Sequence, residues 1–386
     1  MGAELEFQDL SFEARNNAVR AYFMRYFYFE VNNTELEKIA RFSIEKHKIS
    51  FETTQAKAER QFKRLISAKM PDLRTLKGNS AVYVHQLPII GSLRFGLVDR
   101  DSNIIEVRPI TGCNLNCIYC SIDEGMGSCK TDYVVDKDLL VSEFRKLAKN
   151  KTDAEAHIGP QGEPLMYSHL IGLIKDLSET PNVKTISIDT NGVLLTPEII
   201  DQLAEAGLTR INLSINAIDR ELAKKIAGCN YSIEKVMETA KHIAEKLELL
   251  IAPVFLPGIN DNEIPKIIEF AKSVNARLGI QNFLEYKGGR NPVKQLGWDD
   301  FYRKIQEWEE KYGVKLRLTK EDFSIVSQKT LEKPFRKGQV IDAEIIYDEY
   351  AAAKDRLIKI KPTKQKGKAR IKITRDKHNV FFGTIV

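Results

Sequence analysis

The spacing of hydrophobic residues changes along this chain, and the changes divide it into three regions. In residues 1–80 the apolar positions recur at the three- and four-residue spacing of a helix face, with few breakers, over 12–28, 34–47 and 54–67. This spacing predicts a mainly helical N-terminal region.

Residues 81–320 alternate short apolar runs with longer amphipathic segments. A hairpin is predicted at 98–107, where an Asp-Arg-Asp-Ser-Asn turn separates two apolar runs, and six strand-helix units follow it. One helix is expected to begin with Thr196 as its N-cap and Pro197 in its first turn. Because strand-helix-strand crossovers are right-handed, these units favour an α/β fold with a partial TIM-like (βα)6 barrel. A doubly wound open sheet is the competing topology.

In residues 333–386 the pattern changes to four short apolar runs typical of β-strands. These runs are VIDAEIIY, RLIKIKP, ARIKIT and NVFFGTIV. Charged or glycine-bearing turns separate these four runs, a pattern typical of a small β-barrel or OB-like unit. The sequence therefore predicts a helical N-terminal segment, an α/β partial barrel and a small C-terminal β-barrel.

Composition is that of an ordinary soluble globular protein. The chain is 43% hydrophobic and 29% charged, so it can bury a sizeable core without disulfides. No apolar run reaches the roughly 18 residues that a membrane span needs. The opening MGAELEFQDLSFEAR has early acidic residues and lacks the apolar core of a signal peptide. We therefore expect a cytoplasmic protein with no membrane partner.

Positive charge is concentrated near the C-terminus. The chain carries a net charge of +6, whereas residues 333–386 hold 14 Lys or Arg against 6 Asp or Glu. A nearly neutral body with a basic tail suggests a reaction domain joined to a module that holds a polyanion, and a solvated lysine-rich tail is the alternative. The candidate RNA contacts are Lys359, Lys361, Lys364, Lys366, Lys368, Arg370, Lys372 and Arg375.

Three of the five cysteines lie within eight residues, as Cys113-Asn-Leu-Asn-Cys117-Ile-Tyr-Cys120, directly after a predicted strand. This spacing indicates metal chemistry in a reducing compartment rather than disulfides. A [4Fe–4S] cluster has four irons, so three thiolates would leave one iron open to a ligand. A zinc site is the alternative, but no fourth ligand follows at finger-like spacing. Cys129 and Cys229 are interpreted as structural.

The CxxxCxYC loop resembles the signature of the radical S-adenosylmethionine (SAM) superfamily, and the resemblance extends over about residues 95–290. It implies that Cys113, Cys117 and Cys120 bind a [4Fe–4S] cluster whose open iron binds SAM. It also implies an electron donor such as ferredoxin or flavodoxin. In this family the reduced cluster cleaves SAM to methionine and a 5′-deoxyadenosyl radical, which abstracts a hydrogen atom from the substrate.

Polar turns after successive predicted strands extend the resemblance. The segment Gly159-Pro-Gln-Gly-Glu-Pro164 resembles the Gly-Gly-Glu-Pro element that receives the SAM amino group, with Pro-Gln inserted between the glycines. The segment Pro257-Gly-Ile-Asn-Asp-Asn-Glu263 matches a turn common in these enzymes. Each turn alone is typical of many α/β proteins, whereas the whole series after one cysteine loop resembles the radical SAM superfamily specifically. The implied SAM contacts are Tyr119, Gly162, Glu163, Pro164, Asp189, Asn191, Ser214, Asn216 and Pro253.

The closing strands resemble the TRAM domain, a small β-barrel attached to RNA-modifying enzymes, most closely over residues 373–383. Residues 347–355 replace the glycine-rich loop usual in that domain. Phe381 and Phe382 are expected to fill the barrel core rather than to stack on bases. The whole layout also resembles archaeal Fe–S oxidoreductases that carry a terminal TRAM-like module.

Together these features predict a radical SAM enzyme that modifies a nucleotide of transfer or ribosomal RNA. The terminal barrel would hold the RNA while a flipped or single-stranded base enters the larger barrel. Two alternatives remain open, namely a radical SAM enzyme that modifies a protein or peptide and a non-enzymatic, metal-containing RNA-binding protein. Methylthiolation is disfavoured because the cysteines for a second cluster are absent. Methylation, sulfur insertion, cyclisation and simple hydrogen abstraction all stay open.

Overall fold

The computed structural model describes residues 2–386, which form two compact units. Unit 1 comprises residues 2–85, 129–134 and 166–168, and unit 2 comprises 86–128, 135–165 and 169–386. Unit 2 therefore contains both the α/β region and the terminal β-barrel. None of the helices within residues 2–386 has the length and apolar character that crossing a lipid bilayer requires.

The strands, in chain order, are β1 Ala3–Glu6, β2 Leu10–Ala14, β3 Ala18–Phe23, β4 Phe27–Asn32, β5 Phe42–Glu45, β6 Lys48–Phe51, β7 Arg74–Thr75, β8 Ala81–Val84, β9 Gly96–Asp99, β10 Ile104–Arg108, β11 Asp132–Val135, β12 Ala154–Ile158, β13 Val183–Thr190, β14 Arg210–Leu213, β15 Glu248–Ile251, β16 Val254–Phe255, β17 Arg277–Leu278, β18 Gln281–Asn282, β19 Val340–Tyr347, β20 Tyr350–Ala353, β21 Arg356–Lys359, β22 Gly367–Arg375 and β23 Phe381–Ile385. The helices are α1 Asn33–Glu37, α2 Gln55–Lys69, α3 Lys137–Ala148, α4 Leu170–Ser178, α5 Pro197–Glu205, α6 Arg220–Ala227, α7 Ile233–Lys246, α8 Ile264–Ser273 and α9 Trp298–Tyr312.

Unit 1 is built mainly from antiparallel strands. β1, β6 and β5 form one small sheet, and β2, β3, β4 and β7 form another. Helix α2 contributes Phe62 to an aromatic core, where its ring centroid lies 5.5–6.1 Å from those of Phe7, Phe12 and Phe51. Such closely packed rings supply much of the apolar burial that a small sheet needs.

The prediction of a mainly helical N-terminal region is wrong except for α2. The two helices predicted before it are instead the strands β2 to β5 and the short helix α1. In β3 the inward side chains are Val19, Ala21 and Phe23, which alternate with more exposed neighbours. Where nearly every position is apolar or aromatic, helix spacing and strand alternation cannot be separated. Met24 and Arg25, both at positive φ, then reverse the chain so that β3 pairs with β4.

Unit 2 is organised around a sheet that has seven strands in the described chain, in the order β17-β15-β14-β13-β12-β10-β9. β9 and β10 are antiparallel, which confirms the predicted hairpin, and the other pairs are parallel. The parallel strands follow chain order without reversal, so the sheet is a partial TIM-like barrel and not a doubly wound sheet. Thr196 caps α5 by accepting from the backbone N–H of Ile199, as predicted.

The two faces of this parallel sheet differ in chemistry. On one face the aligned residues are Glu106, His157, Ser187 and Arg210. On the other face they are Val107, Ile158, Ile188 and Ile211, all fully buried. Because side chains alternate across a strand, one face can pack against the surrounding helices while the other forms a polar lumen.

The terminal strands β19, β20, β21, β23 and β22 close into a barrel in that order. Ile345, Ile358, Ile371 and Phe381 lie in its core. The sequence predicted four strands here, and the structure adds β20 within the segment that was expected to be a loop. Its Tyr-Ala-Ala-Ala sequence contains few of the β-branched residues that indicate a strand, so pairing with β19 and β21 decides its structure.

The terminal barrel belongs to the same compact unit as the α/β sheet because the segment before β9 contacts it directly. The backbone N–H of Leu357 donates to the carbonyl oxygen of Ile90 at 2.8 Å. A Cβ at Gly91, where φ is +118°, would lie 2.3 Å from the carbonyl oxygen of Leu357, so only glycine permits this approach. The hydroxyl oxygens of Ser92 and Tyr350 are 2.9 Å apart.

Candidate functional site

A cavity of about 320 Å³ lies at the carboxyl ends of the parallel strands. The loops after β10, β12, β13, β14, β15 and β17 all contribute to its wall. The cysteines Cys113, Cys117 and Cys120 line it. The predicted SAM contacts that also line it are Tyr119, Gly162, Glu163, Asp189, Asn191, Ser214 and Asn216. Residues far apart in sequence are therefore brought to one chamber.

The cysteine loop is held by the C-terminal end of α6. The backbone N–H of Asn116 donates to the carbonyl oxygen of Ala227 at 2.9 Å, and that of Ile118 donates to Ile226 at 3.0 Å. Gly228 follows with a φ of +66°, and a Cβ there would lie 2.1 Å from the carbonyl oxygen of Asn116. A side chain at this position would push the loop away, so glycine sets the close contact.

Arg290 clamps the same loop from the segment after β18. Its guanidinium donates to the carbonyl oxygens of Cys117 at 2.9 Å and Glu124 at 3.0 Å, and to the carboxylate of Asp123 at 2.7 Å. Its backbone N–H donates to the carbonyl oxygen of Cys120 at 2.9 Å. Because these bonds hold the backbone at and beside two of the cysteines, Arg290 helps to determine where their sulfurs lie.

Arg94 connects the cysteine loop to the terminal barrel. Its guanidinium contacts the carboxylate of Glu124 at 2.5 Å and that of Glu349, in the turn between β19 and β20, at 2.8 Å. Burial alone would lower the pKa of Arg94, but the two carboxylates outweigh it and raise that pKa. The backbone N–H of Glu124 donates to Sγ of Cys120 at 3.4 Å. The barrel is thus linked through two ion pairs to Glu124, which contacts the sulfur of Cys120.

Glu163 presents a desolvated carboxylate to the cavity. Its Oε1 accepts from the hydroxyl of Thr190 at 2.8 Å and the N–H of Leu165 at 3.1 Å, and its Oε2 accepts from the N–H of Asn191 at 2.9 Å. Burial raises the pKa of Glu163 to about 7 in spite of these hydrogen bonds. Because a carboxylate can accept about four hydrogen bonds, an acceptor position remains for a cationic donor.

Asp189 ends β13 in the cavity wall and belongs to a buried polar network. Its Oδ1 accepts from Nδ2 of Asn212 at 2.8 Å, and its Oδ2 lies 3.2 Å from Nε2 of His157. Nδ1 of His157 lies 2.8 Å from the hydroxyl of Ser187. Burial alone would lower the pKa of His157 and raise that of Asp189, but their mutual attraction reverses both directions. The contacts with His157 and Asn212 therefore orient Asp189, and the mutual attraction favours the charged form of both His157 and Asp189.

Asn191 and Asn216 have protein partners at both ends of their side-chain amides. Asn191 donates to Oδ1 of Asn114 at 2.8 Å and accepts from the N–H of Val193 at 3.1 Å. Asn216 donates to the hydroxyl of Tyr119 at 2.8 Å and accepts a backbone N–H at 2.8 Å. Both residues line the cavity wall, and Asn216 also orients the tyrosine beside the cysteines.

The remaining residues singled out by the sequence occupy varied positions. Ser214 lines the cavity, and its hydroxyl makes no hydrogen bond to the described residues. Pro164 and Pro253 lie outside the cavity lining of the described chain. Cys129 is exposed and belongs to unit 1, while Cys229 is half-buried next to the glycine that supports the cysteine loop. The structural interpretation of these two cysteines stays a prediction.

The basic residues on β22 lie on the outside of the terminal barrel. Lys368, Arg370 and Lys372 are exposed and alternate with buried or half-buried neighbours. Across the ladder, Asp342 lies opposite Arg370 and Glu344 lies opposite Lys368. These acidic residues on β19 offset part of the positive charge.

Two more of the predicted RNA-binding lysines have acidic partners. Lys359 pairs with Glu349, and Lys366 lies 2.8 Å from Asp348. The net charge of the tail therefore overstates the positive surface that is available to a ligand. Lys361 is exposed on the outside of the barrel and forms no ion pair within residues 2–386, and the same holds for Lys364.

Another basic surface without acidic partners in the described chain lies where β22 meets β23. Lys372 and Arg375 form no ion pair within the described chain, and the guanidinium carbon of Arg375 lies 5.3 Å from the ring centroid of Phe382. Phe381 fills the barrel core as predicted, whereas Phe382 is only half-buried, contrary to the expectation that both rings fill the core. Lys372, Arg375 and Phe382 together form what we call the barrel patch.

The residues of the cavity fit a [4Fe–4S] cluster with SAM. The three cysteines reach the same cavity from one loop. Within residues 2–386, no group of three or more His, Cys, Asp or Glu closes around a single metal ion. A cubane takes each thiolate on a different iron, so three cysteines can hold it without meeting at a single metal ion. Glu163 has an acceptor position and Ser214 a hydroxyl for the polar groups of SAM.

Sequence reasoning missed the residues that support the cysteine loop. Arg290 follows Gly288 and Gly289, and this glycine pair was a signal for a tight turn but not for its contact with the cysteines. Arg94 and His157 lie in strand-like segments where no local pattern distinguishes them from other polar residues. Their roles depend on contacts across the fold.

The sequence and the fold of this chain are similar to those of known proteins. The family described as the Radical SAM superfamily matches residues 107–271. An uncharacterized protein of Methanocaldococcus jannaschii is 38% identical over 349 residues, which cover 79% of this chain and 80% of the relative. A GTP 3′,8-cyclase of Listeria monocytogenes is 29% identical over 222 residues, which cover 57% of this chain and 60% of the cyclase. The structure of Streptococcus suis SuiB bound to precursor peptide SuiA matches with a TM-score of 0.46 and 14% identity, over 81% of this chain and 71% of SuiB.

Proposed function

Because the chain belongs to the radical SAM superfamily, whose cofactors are a [4Fe–4S] cluster and SAM, we propose that it modifies a nucleotide of transfer or ribosomal RNA. The observation that carries the proposed chemistry is the single cavity in which the three cysteines, Glu163 and Asp189 converge. When bound and reduced, the cluster supplies the electron that cleaves SAM to methionine and a 5′-deoxyadenosyl radical.

Different residues of the cavity are proposed to bind different parts of these cofactors. Cys113, Cys117 and Cys120 would each bind one iron of the cluster, and Glu163 would accept a hydrogen bond from the SAM ammonium group. Ser214 offers its hydroxyl to the ribose or the carboxylate. A primary carbon radical reacts with nearly any C–H bond that it meets, so the substrate atom must be held close to it and water kept out.

The terminal barrel supports RNA as the substrate. The barrel patch combines two cations that lack acidic partners in the described chain with an aromatic ring, and such surfaces bind phosphates and unstacked bases. Arg94 joins this barrel to the cysteine loop within one compact unit. RNA on the barrel would therefore be held by the same body that contains the cavity.

Binding of bulk transfer RNA across a salt series tests the RNA substrate. The double variant Lys372→Met/Arg375→Met is expected to bind less tightly and to lower the slope of log affinity against log salt by about 0.8 for each lost phosphate contact. Electrophoretic shifts of the full chain measure this slope. Substitution is preferable to deletion of the barrel, since the barrel shares backbone hydrogen bonds with the segment before β9.

Lys366→Met is the matched control because Lys366 is already paired with Asp348. It should change the salt slope by less than half as much as either barrel-patch substitution. Absence of RNA binding at low salt would contradict the proposal. Formation of 5′-deoxyadenosine that responds to a peptide fraction and not to RNA would favour the protein-modifying alternative.

Replacing Glu163 with Ala is expected to keep the cluster and weaken SAM binding by roughly 10- to 100-fold, because a hydrogen bond to a charged group contributes about 1.5–3 kcal/mol. Equilibrium dialysis of SAM against the anaerobically reconstituted protein measures the affinity, and iron content reports the cluster. Glu205→Ala, at an exposed position of α5, is the control. Unchanged SAM affinity in Glu163→Ala would place the amino-group site elsewhere.

A further inference from the structure

A second concentration of positive charge lies on helix α2 of unit 1, far from the C-terminal tail in sequence. Residues 55–78 hold seven Lys or Arg against two Asp or Glu. Four of these cations lie on α2 and are exposed, namely Lys57, Arg60, Lys63 and Arg64. None of the four forms an ion pair within residues 2–386. We call these four residues the helix patch.

The helix patch lies on the side of α2 that faces away from the core of unit 1. Ala58 and Phe62 are the buried residues of this helix. With 3.6 residues per turn, the four cations span an arc of about 120° that is centred opposite Ala58 and Phe62. Glu59, the only acidic residue of α2, lies outside this arc. The other residues within the arc are small and exposed, and they are Ala56, Ser67 and Ala68.

This arrangement of charge is unfavourable for the free helix. Lys57 lies in the first turn, where the positive end of the helix dipole repels a cation, and that turn contains no acidic residue. Arg60 has the other cations of the patch three or four residues away, and like charges at these spacings repel each other. By contrast, Lys69 on the same helix pairs with Glu35 at 2.8 Å. An anionic ligand would relieve the repulsion that the described chain leaves uncompensated.

The composition of the arc favours a nucleic acid over other anionic ligands. A helix that binds a membrane surface needs large apolar residues to insert beside its cations, and protein interfaces are usually centred on large aromatic anchors. The arc has neither, because only alanine and serine accompany the cations. A phosphate backbone is bound by cations alone. Lys57 and Arg64 are two turns apart, about 10 Å along the axis, so the patch can reach more than one phosphate.

We propose that the helix patch binds the phosphate backbone of the RNA substrate. The inference rests on the proposed function and adds a second RNA-binding surface to the barrel patch. Phosphate contacts position a nucleic acid but carry no information about its bases. Unit 1 therefore contributes affinity for RNA and no sequence preference.

Binding of bulk transfer RNA to the full chain across a salt series tests the helix patch. The triple variant Lys57→Gln/Arg60→Gln/Arg64→Gln should bind at least tenfold more weakly at low salt. It should also lower the slope of log affinity against log salt by roughly 2, because each lost phosphate contact lowers it by about 0.8. Gln has nearly the helix propensity of Lys and Arg, so α2 should remain folded. The midpoint of thermal unfolding should stay unchanged or rise, since repulsion between like charges is removed.

A second triple variant removes the same amount of charge from other helices. Lys146→Gln/Arg220→Gln/Arg303→Gln replaces three exposed cations that already have acidic partners. It should change the salt slope by less than half as much as the α2 variant. If the α2 triple variant does not fold, Arg60→Gln carries the test with an expected change in slope of about 0.8.

Three results would overturn the inference. These are an unchanged slope in the α2 triple variant, a change no greater than that of the control variant, and sedimentation of the protein with phosphatidylserine vesicles that the α2 variant abolishes. The helix patch and the proposed function can fail separately. Modification of RNA by a protein whose RNA affinity ignores the α2 substitutions would sustain the function alone. Salt-dependent RNA binding through α2, in a protein that does not modify RNA, would sustain the patch alone.

Discussion

Replacing Cys117 with Ala should remove the cluster and with it all reductive cleavage of SAM, while the fold remains. Cys117 is half-buried in a loop whose backbone is held by Arg290 and the end of α6, so its sulfur contributes little to packing. Two remaining thiolates cannot hold a cubane that needs three. Iron content after anaerobic reconstitution should fall to background, and 5′-deoxyadenosine should not form.

Cys129→Ala is the matched control because Cys129 is exposed and lies in unit 1, outside the cavity lining. This variant should bind as much iron as the unsubstituted protein. Circular dichroism and thermal unfolding should show Cys117→Ala to be folded. A full complement of iron in Cys117→Ala, or an equal loss in Cys129→Ala, would rule out the assigned ligands.

Replacing Arg94 with Met should lower the free energy of unfolding by about 3–5 kcal/mol and make the cluster labile. The substitution removes the cation from the buried carboxylate of Glu124 and from that of Glu349, and breaking a buried pair on one side leaves charge without its partner. It also frees the residue whose N–H contacts Sγ of Cys120. Urea unfolding measures the first effect, and the rate of iron loss in air measures the second.

Two other variants distinguish the support that Arg94 gives to the cysteine loop from the effect of simply losing a positive charge. Lys366→Met breaks an exposed pair on the same barrel and should cost under about 1 kcal/mol. Arg94→Lys keeps the charge but cannot span both carboxylates in the same way, so it should recover part of the stability and of the iron retention. If Arg94→Met retains iron as long as the unsubstituted protein, the barrel does not support the cysteine loop.

The repeated strand-helix part of the chain was predictable because local pattern and final structure agree there. The hairpin of β9 and β10, the Thr196 cap and the alternation of strands and helices follow from turn residues, capping residues and apolar periodicity, whereas the strand order that excludes a doubly wound sheet came from the structure. The short strands of unit 1 were not predictable in this way. Their apolar and aromatic runs suit a helix or a strand equally, and pairing with distant strands decides between them.

The candidate site was likewise predictable in part from the sequence and in part only from the structure. The cysteines, Glu163 and Asp189 were recognisable because they lie at or just after the ends of predicted strands, and parallel strands bring those ends to one edge. Charge counting was less reliable on the terminal barrel, since Asp342, Glu344 and other acidic residues come to lie beside the lysines only in the folded ladder. A count of charged residues along the sequence does not show which residues face each other across neighbouring strands.

The sequence by itself indicated metal chemistry, because a loop of three closely spaced cysteines is a local feature, and its resemblance to the radical SAM signature then implied the [4Fe–4S] cluster and SAM. Only the tertiary structure decided that Arg94 and Arg290 brace that loop and that the terminal barrel belongs to the same unit. These are contacts between segments far apart in the chain. Their geometry depends on packing and strand register, which no local pattern specifies.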